Sequence, residues 1–321
     1  MSKTVSKFEN ITLDEIKIHF DIVCRHLEHR LKTDFGNNKQ RINTEADFNL
    51  AVNILQRSLE QAQTLFGLLE QKNIDITSIA AIQRSLYESF LTFVYLFATN
   101  IFSNGSNGDS REQVEFKLKL HQYIGIKSYE YIKNKIEIDS QIPDFKAVNK
   151  IDKKYLKDFD AHLLQSSIRD KCGPRENLEA IFSGDAFIHS RSFLLKNVFE
   201  VAKERGLNTK FKAAYNYLSD YAHCGKLSLC EYAPREYEKD DSRTILSMAK
   251  LCLVITSQFF LEYCWYCKTI WDDPIEIDDN VKHPDREEHY DTVELLEYWI
   301  NYFREEGYKR PHFKKRVIQN A

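Results

Sequence analysis

An all-α fold, a multi-helix bundle with long buried central helices, is what this sequence predicts, and three observations carry the prediction. Apolar residues recur at three- and four-residue spacing over long windows, the period of a helix with one face against a core. Chain breakers are scarce, 10 glycines and 6 prolines in 321 residues, which favours long helices over many short strands. Capping side chains precede several of the periodic runs.

Thr12 with Glu15 forms a capping box ahead of Ile16, Phe20, Val23, Leu27 and Leu31, which predicts a helix to about Lys32 and a polar loop over 34–43. Thr44 with Asp47 opens a second helix through Phe48, Leu55, Ala62 and Leu69 to near Asn73. A third, Thr77 to Phe102, is apolar on every face in its second half, as a central buried helix would be. The run SNGSNGDS, 103–110, reads as a loop, and Ser110 with Gln113 starts a helix to about Lys135. Residues 137–180 are irregular, with short helical pieces near 155–166. Periodicity returns from Phe187 to Arg205 and stops at Gly206, a C-terminal cap. Asn208 or Thr209 starts the next helix, closed by Gly225. Leu227 to Tyr232 could be extended, but an isolated strand makes no sheet. A long apolar helix spans Ser242 to Ile270, and Asp291 with Glu294 caps a last one through Leu295, Trp299 and Phe303. No repeat at solenoid period and no long heptad run is present.

This organisation predicts a helical bundle domain over 1–271, with an acidic linker, terminal helix and basic tail over 272–321 packed on or appended to it. The net charge of -3 gives no global attraction to nucleic acid, so a polyanion site would be a local patch. Residues 307–321 carry Lys309, Arg310, Lys314, Lys315 and Arg316 with no acid among them, whereas Asp272, Asp273, Glu276, Asp278, Asp279, Asp285, Glu287 and Glu288 crowd the stretch before the last helix. A solvated linker followed by a basic tail is the expected reading, ahead of docking between the two or tail binding to RNA.

The first ten residues, MSKTVSKFEN, lack the apolar core of a signal peptide. The longest uncharged apolar run, Ser89 to Phe102, is shorter than the ~18–20 residues of a membrane span. Seven scattered cysteines suit a reducing compartment. A cytoplasmic protein with no membrane partner is expected.

Within the apolar third helix stand Arg84 and Glu88, and within the helix after Asn208 stand Ser219 and His223; each pair is four residues apart and shares a helical face. Glu preceding Arg is the stabilising intrahelical order, and Arg84 to Glu88 is the reverse, so helix stabilisation alone does not account for it. Charge in a core needs partners. Tyr215, Ser219 and His223 form a slowly turning stripe, with Asn216 and Asp220 beside it. If the two helices face each other, Glu88 would fix the His223 tautomer, and Arg84 would hold a phosphate or carboxylate beside the Ser219 and Tyr215 hydroxyls. Arg84, Glu88, Ser219 and His223 are thus the candidate catalytic set, with Tyr215, Asn216 and Asp220 as binding residues. A satisfied buried network that sets helix register is the equal alternative.

In these two segments, RSLYE at 84–88 and YNYLSDYAH at 215–223, the chain resembles a bacterial family of unknown function whose members pair an R-x-x-x-E helix with a later Y-x-x-x-S-x-x-x-H helix. The resemblance spans the second helix to Ile270 and implies a fold rather than an activity. More remotely the chain resembles HEPN domains, helical bundles found as RNA-cleaving toxins and phage-defence effectors and usually dimeric. Their Arg-polar-His motif on one helix is missing: Leu218, Ser219 and Asp220 precede His223, and the Arg25/His29 and Arg286/His289 spacings differ. An RNase reading therefore needs Arg84 to act from another helix, with His223 as acid or base and no metal.

Other candidates point to structure. Cys264 and Cys267 form a C-x-x-C near the end of an apolar helix, not at the N-terminus where the dipole would lower a thiol pKa; core thiols are the better reading, and Cys224 with Cys230 does not complete a zinc knuckle. HCGKLS at 223–228 lacks the upstream glycine and spacer of a phosphate loop. His162 and His189 show no ligand spacing to each other, and His283 and His289 sit in the acidic linker, where a solvated histidine is far commoner than a weak metal contact. Phe259, Phe260, Tyr263, Trp265, Tyr266 and Trp271 suit a core or dimer face better than base stacking. The sequence thus predicts no cofactor and no metal, and a homodimer whose partner is RNA or another anionic ligand in bacterial defence or stress. The other reading is a non-catalytic module whose exposed groove binds a protein.

Overall fold

The computed structural model describes residues 11–37, 46–70, 76–97, 117–118, 121, 198–222, 242–271, 276–277, 292–306 and 314–315. Seven helices are delimited among them: α1 (Leu13–Asn37), α2 (Ala46–Leu69), α3 (Ile76–Phe97), α4 (Val198–Glu204), α5 (Thr209–Ala222), α6 (Ser242–Trp271) and α7 (Thr292–Asn301). They form the expected all-α bundle. Thr44, Asp291, the 103–110 loop, the 137–180 segment, Gly225 and 227–232 lie outside the described residues.

Local chemistry accounts for the helix ends. The Thr12 hydroxyl accepts from the Glu15 amide at 3.3 Å, and the Glu15 carboxylate accepts from the Thr12 amide at 2.8 Å, the two halves of a capping box. α1 continues to Asn37, past the expected end at Lys32. Its last turns contain no proline, and the Thr33 hydroxyl returns to the His29 carbonyl at 2.9 Å, so polar composition alone does not stop the ladder. α4 ends in a Schellman motif: Leu207 N–H donates to the Ala202 carbonyl at 3.0 Å and Gly206 N–H to that of Lys203 at 2.9 Å. Gly206 has φ of 64°, in the left-handed region. Gly206→Ala should therefore cost about 1–2 kcal/mol, read as a lowered midpoint in urea melts; an unchanged midpoint would contradict the strain argument. Asn208 then caps α5, its Oδ1 accepting from the Lys210 and Phe211 amides at 2.9 and 3.3 Å.

The chain divides into two compact units, Met1–Val94 with Ala202–Ala321, and Tyr95–Val201. In the first, α6 is the hub, packed against α1, α2 and α7. Its stretch from Arg243 to Cys267 is long and apolar enough to cross a membrane by length and composition, yet 67% of that window is buried within the fold. Cys252, Leu253, Val254, Ile255, Phe259, Leu261 and Tyr263 are among its buried residues, as are Cys264 and Cys267, outside any disulfide. Aromatic rings close the other side: Tyr87 stacks on Phe211 at 5.4 Å, and Phe303 meets both edge-on. In the second unit, buried Lys117 lies 4.6 Å over the Tyr95 ring, and burial holds the His121 imidazole below its ordinary pKa.

The reading of a solvated linker and free tail is corrected at one point. β1 (Glu276–Ile277) pairs in parallel with β2 (Lys314–Lys315), with Glu276 opposite Lys314 and Ile277 opposite Lys315. Parallel strands need a long crossover, and α7 supplies it.

Candidate functional site

α3 buries Leu86, Tyr87 and Phe90 through Phe97 together with Gln83, whereas Arg84 and Glu88 share a face that reaches the edge of the core. There Arg84 Nε donates to Glu88 Oε1 at 3.1 Å. The same oxygen accepts from the Tyr215 hydroxyl of α5, also at 3.1 Å, and the Arg84 guanidinium carbon lies 5.8 Å from the Tyr215 ring centre. The two helices therefore meet at these residues. Side-chain exposures of 11% for Arg84 and 43% for Glu88 correct one expectation: the carboxylate opens to solvent instead of pointing into the core. Phe90, two residues beyond Glu88, takes the interior direction and packs on Phe259 at 5.2 Å.

Burial, and then the Glu88 carboxylate, raises the Tyr215 hydroxyl above the ordinary tyrosine value, while Arg84 opposes this. At neutral pH the phenol is a donor. One turn further along α5, Ser219 and Asp220 are half-buried, and Asn216 is exposed. His223 lies outside the described residues, immediately after α5 ends at Ala222. Arg84, Glu88 and Tyr215 are thus brought together, with Glu88 accepting from both of the others. Chemically the node offers a guanidinium, a phenol donor and a solvent-facing carboxylate within one hydrogen-bonded group.

Residues 48–240 match the model of a family of unknown function, DUF5677. The chain belongs to DUF5677. The match starts inside α2, contains both helices of the node, and stops short of α6 instead of reaching Ile270. No curated protein and no solved structure matches the chain. The DUF5677 segment therefore brings a family but no assigned chemistry.

A second polar cluster, whose side chains all come from outside the DUF5677 segment, escaped the sequence reading. Arg304, just past α7, donates from Nη2 to Glu262 Oε1 at 2.6 Å and from Nε to Gln258 Oε1 at 2.8 Å, with both ion-pair side chains 1% exposed. Its Nη1 reaches the Arg205 carbonyl, and Gln258 Nε2 donates to that of Ile300 at 2.7 Å. The signal was available: Gln258 and Glu262 are four apart in an apolar helix, as Arg84 and Glu88 are. Among the described residues no group of three or more His, Cys, Asp or Glu side chains is arranged to hold a metal ion.

Between α2 and α3 an open groove of about 560 Å³ is lined by Arg57, Glu60, Gln61, Thr64, Ala81, Ile82 and Ser85. Gln61 Nε2 donates to the Ser85 hydroxyl at 3.3 Å at its floor. Ser85 follows Arg84 directly, so groove and node occupy neighbouring faces of α3.

Proposed function

We propose that this DUF5677 protein is a cytoplasmic RNA-directed effector of HEPN-like type, serving bacterial defence or stress, and that the Arg84–Glu88–Tyr215 node with Ser219 and His223 handles the RNA phosphate. The observation that supports it is the meeting of a guanidinium and a solvent-facing carboxylate from α3 with the phenol of α5. In such a site the ribose 2′-hydroxyl attacks the adjacent phosphorus and the 5′-oxygen leaves. Arg84 balances charge on the non-bridging oxygens, and His223 with Glu88 exchanges the two protons.

The test compares wild type, His223→Ala and Tyr215→Phe on labelled total RNA, with and without magnesium, alongside thermal melts. His223→Ala should lower cleavage about 10²–10⁴-fold, the span of general acid–base catalysis, at an unchanged melting temperature. No cleavage by wild type rejects the nuclease reading.

One observation favours a second reading, a non-catalytic interaction module. Glu88 Oε1 already accepts from both Arg84 and Tyr215, tying α3 to α5, and the α2/α3 groove opens on a neighbouring face of α3. On that reading Tyr215→Phe lowers the melting temperature and nothing cleaves RNA, because the node sets register.

A further inference from the structure

The β1–β2 pair joins the most acidic stretch of the chain to the most basic one. The register sets Glu276 opposite Lys314. Asp272, Asp273, Asp278 and Asp279 flank β1, while Lys309, Arg310 and Arg316 flank β2, with no acid anywhere in 307–321. It is the backbone pairing, rather than the acidic cluster as such, that marks the tail as the acidic segment's occupant.

Two paired residues in parallel cannot hold a sheet alone, since independent stability takes three or more strands and parallel pairing is the weaker kind. The anchor brings them together, and attraction between the opposite charges of the two stretches would add to it. α7, between the two strands, buries Leu295, Leu296, Trp299 and Ile300, and Arg304 fastens the turn after it. This tethering gives the tail a high effective concentration at β1. The charge contribution is screened beyond about 8 Å at physiological salt, so the contact belongs to the low-stability end of the fold.

A run of lysine and arginine is also what binds nucleic acid, through neutralised phosphates and released counterions. We infer that the acidic segment around β1 is an intramolecular competitor that occupies the basic tail, and that the partner displacing it is a single-stranded RNA. The choice of RNA rests on the function proposed above; the latch itself does not.

The full chain is compared with a variant carrying Asp272→Asn, Asp273→Asn, Glu276→Gln, Asp278→Asn and Asp279→Asn, and with that variant further changed by Lys314→Ala and Lys315→Ala. The probe is a fluorescent 2′-O-methyl RNA of about 20 nucleotides, longer than one binding site needs and unable to undergo 2′-hydroxyl attack. Neutralising the acids should tighten binding about tenfold at low salt and steepen its salt dependence, and the lysine changes should reverse both. In parallel, trypsin cleavage within 309–316 should be faster in the acid-neutralised chain and, for wild type, faster at high salt. Equal cleavage rates in all conditions overturn the latch whether or not RNA binds. Faster cleavage with unchanged RNA affinity overturns RNA as the displacing partner, and failure of wild type to cleave total RNA bears on the catalytic proposal alone.

Discussion

Arg304→Leu should destabilise the protein by about 3–5 kcal/mol, the cost of stripping one partner from a buried ion pair. The Glu262 carboxylate would be left in a site where its side chain is 1% exposed and where Oε2 has no hydrogen-bond partner among the described residues. Gln258 and the Arg205 carbonyl would lose their donor as well. The double variant Arg304→Met with Glu262→Leu should be less destabilised than Arg304→Leu, because it removes the charge together with its counterion. Urea melts of both proteins decide the matter. A double variant no more stable than the single one would mean that the guanidinium serves mainly to close the 205–208 and 301–305 segments on each other.

The isolated 48–240 segment should fail to fold. It carries α2 through α5 but lacks α1, α6 and α7, and α6 is the element against which α1, α2 and α7 all pack. Burying each large apolar side chain contributes about 1.5–3 kcal/mol, and α6 alone buries Leu253, Val254, Ile255, Phe259, Phe260, Leu261 and Tyr263. Their sum, roughly 10–21 kcal/mol, is as large as the whole net stability of a typical domain, about 5–15 kcal/mol. Circular dichroism of the fragment should therefore show no cooperative thermal transition. A sharp melt close to that of the full chain would show that the family segment has a core of its own.

What could be read from the sequence was local. Thr12 and Glu15, Gly206, and Asn208 each act within about one turn, so their spacing states their role. Arg84, Glu88 and Tyr215 were legible for another reason: polar residues in an apolar helix must find one another. The same logic applied to Gln258 and Glu262, but their partner stands 42 or more residues away in a turn outside any helical period, where no spacing rule reaches. Glu88 was expected inside because its helix is apolar; that its side chain is 43% exposed is a matter of tertiary packing, which helical period does not encode. The β1–β2 pair involves two residues a side, too few to leave an alternating pattern.

The hydrogen bond from Trp299 Nε1 to His19 Nδ1, 3.3 Å long, joins residues 280 positions apart. At a synthesis rate of about 5–20 residues per second, α1 is made roughly 14–56 s before its partner on α7 exists. For most of that interval its apolar stripe has α2 but neither α6 nor α7 to cover it. The newborn chain thus carries a partly covered hydrophobic face until α6 and α7 are made, a window in which that face is exposed to association with other chains.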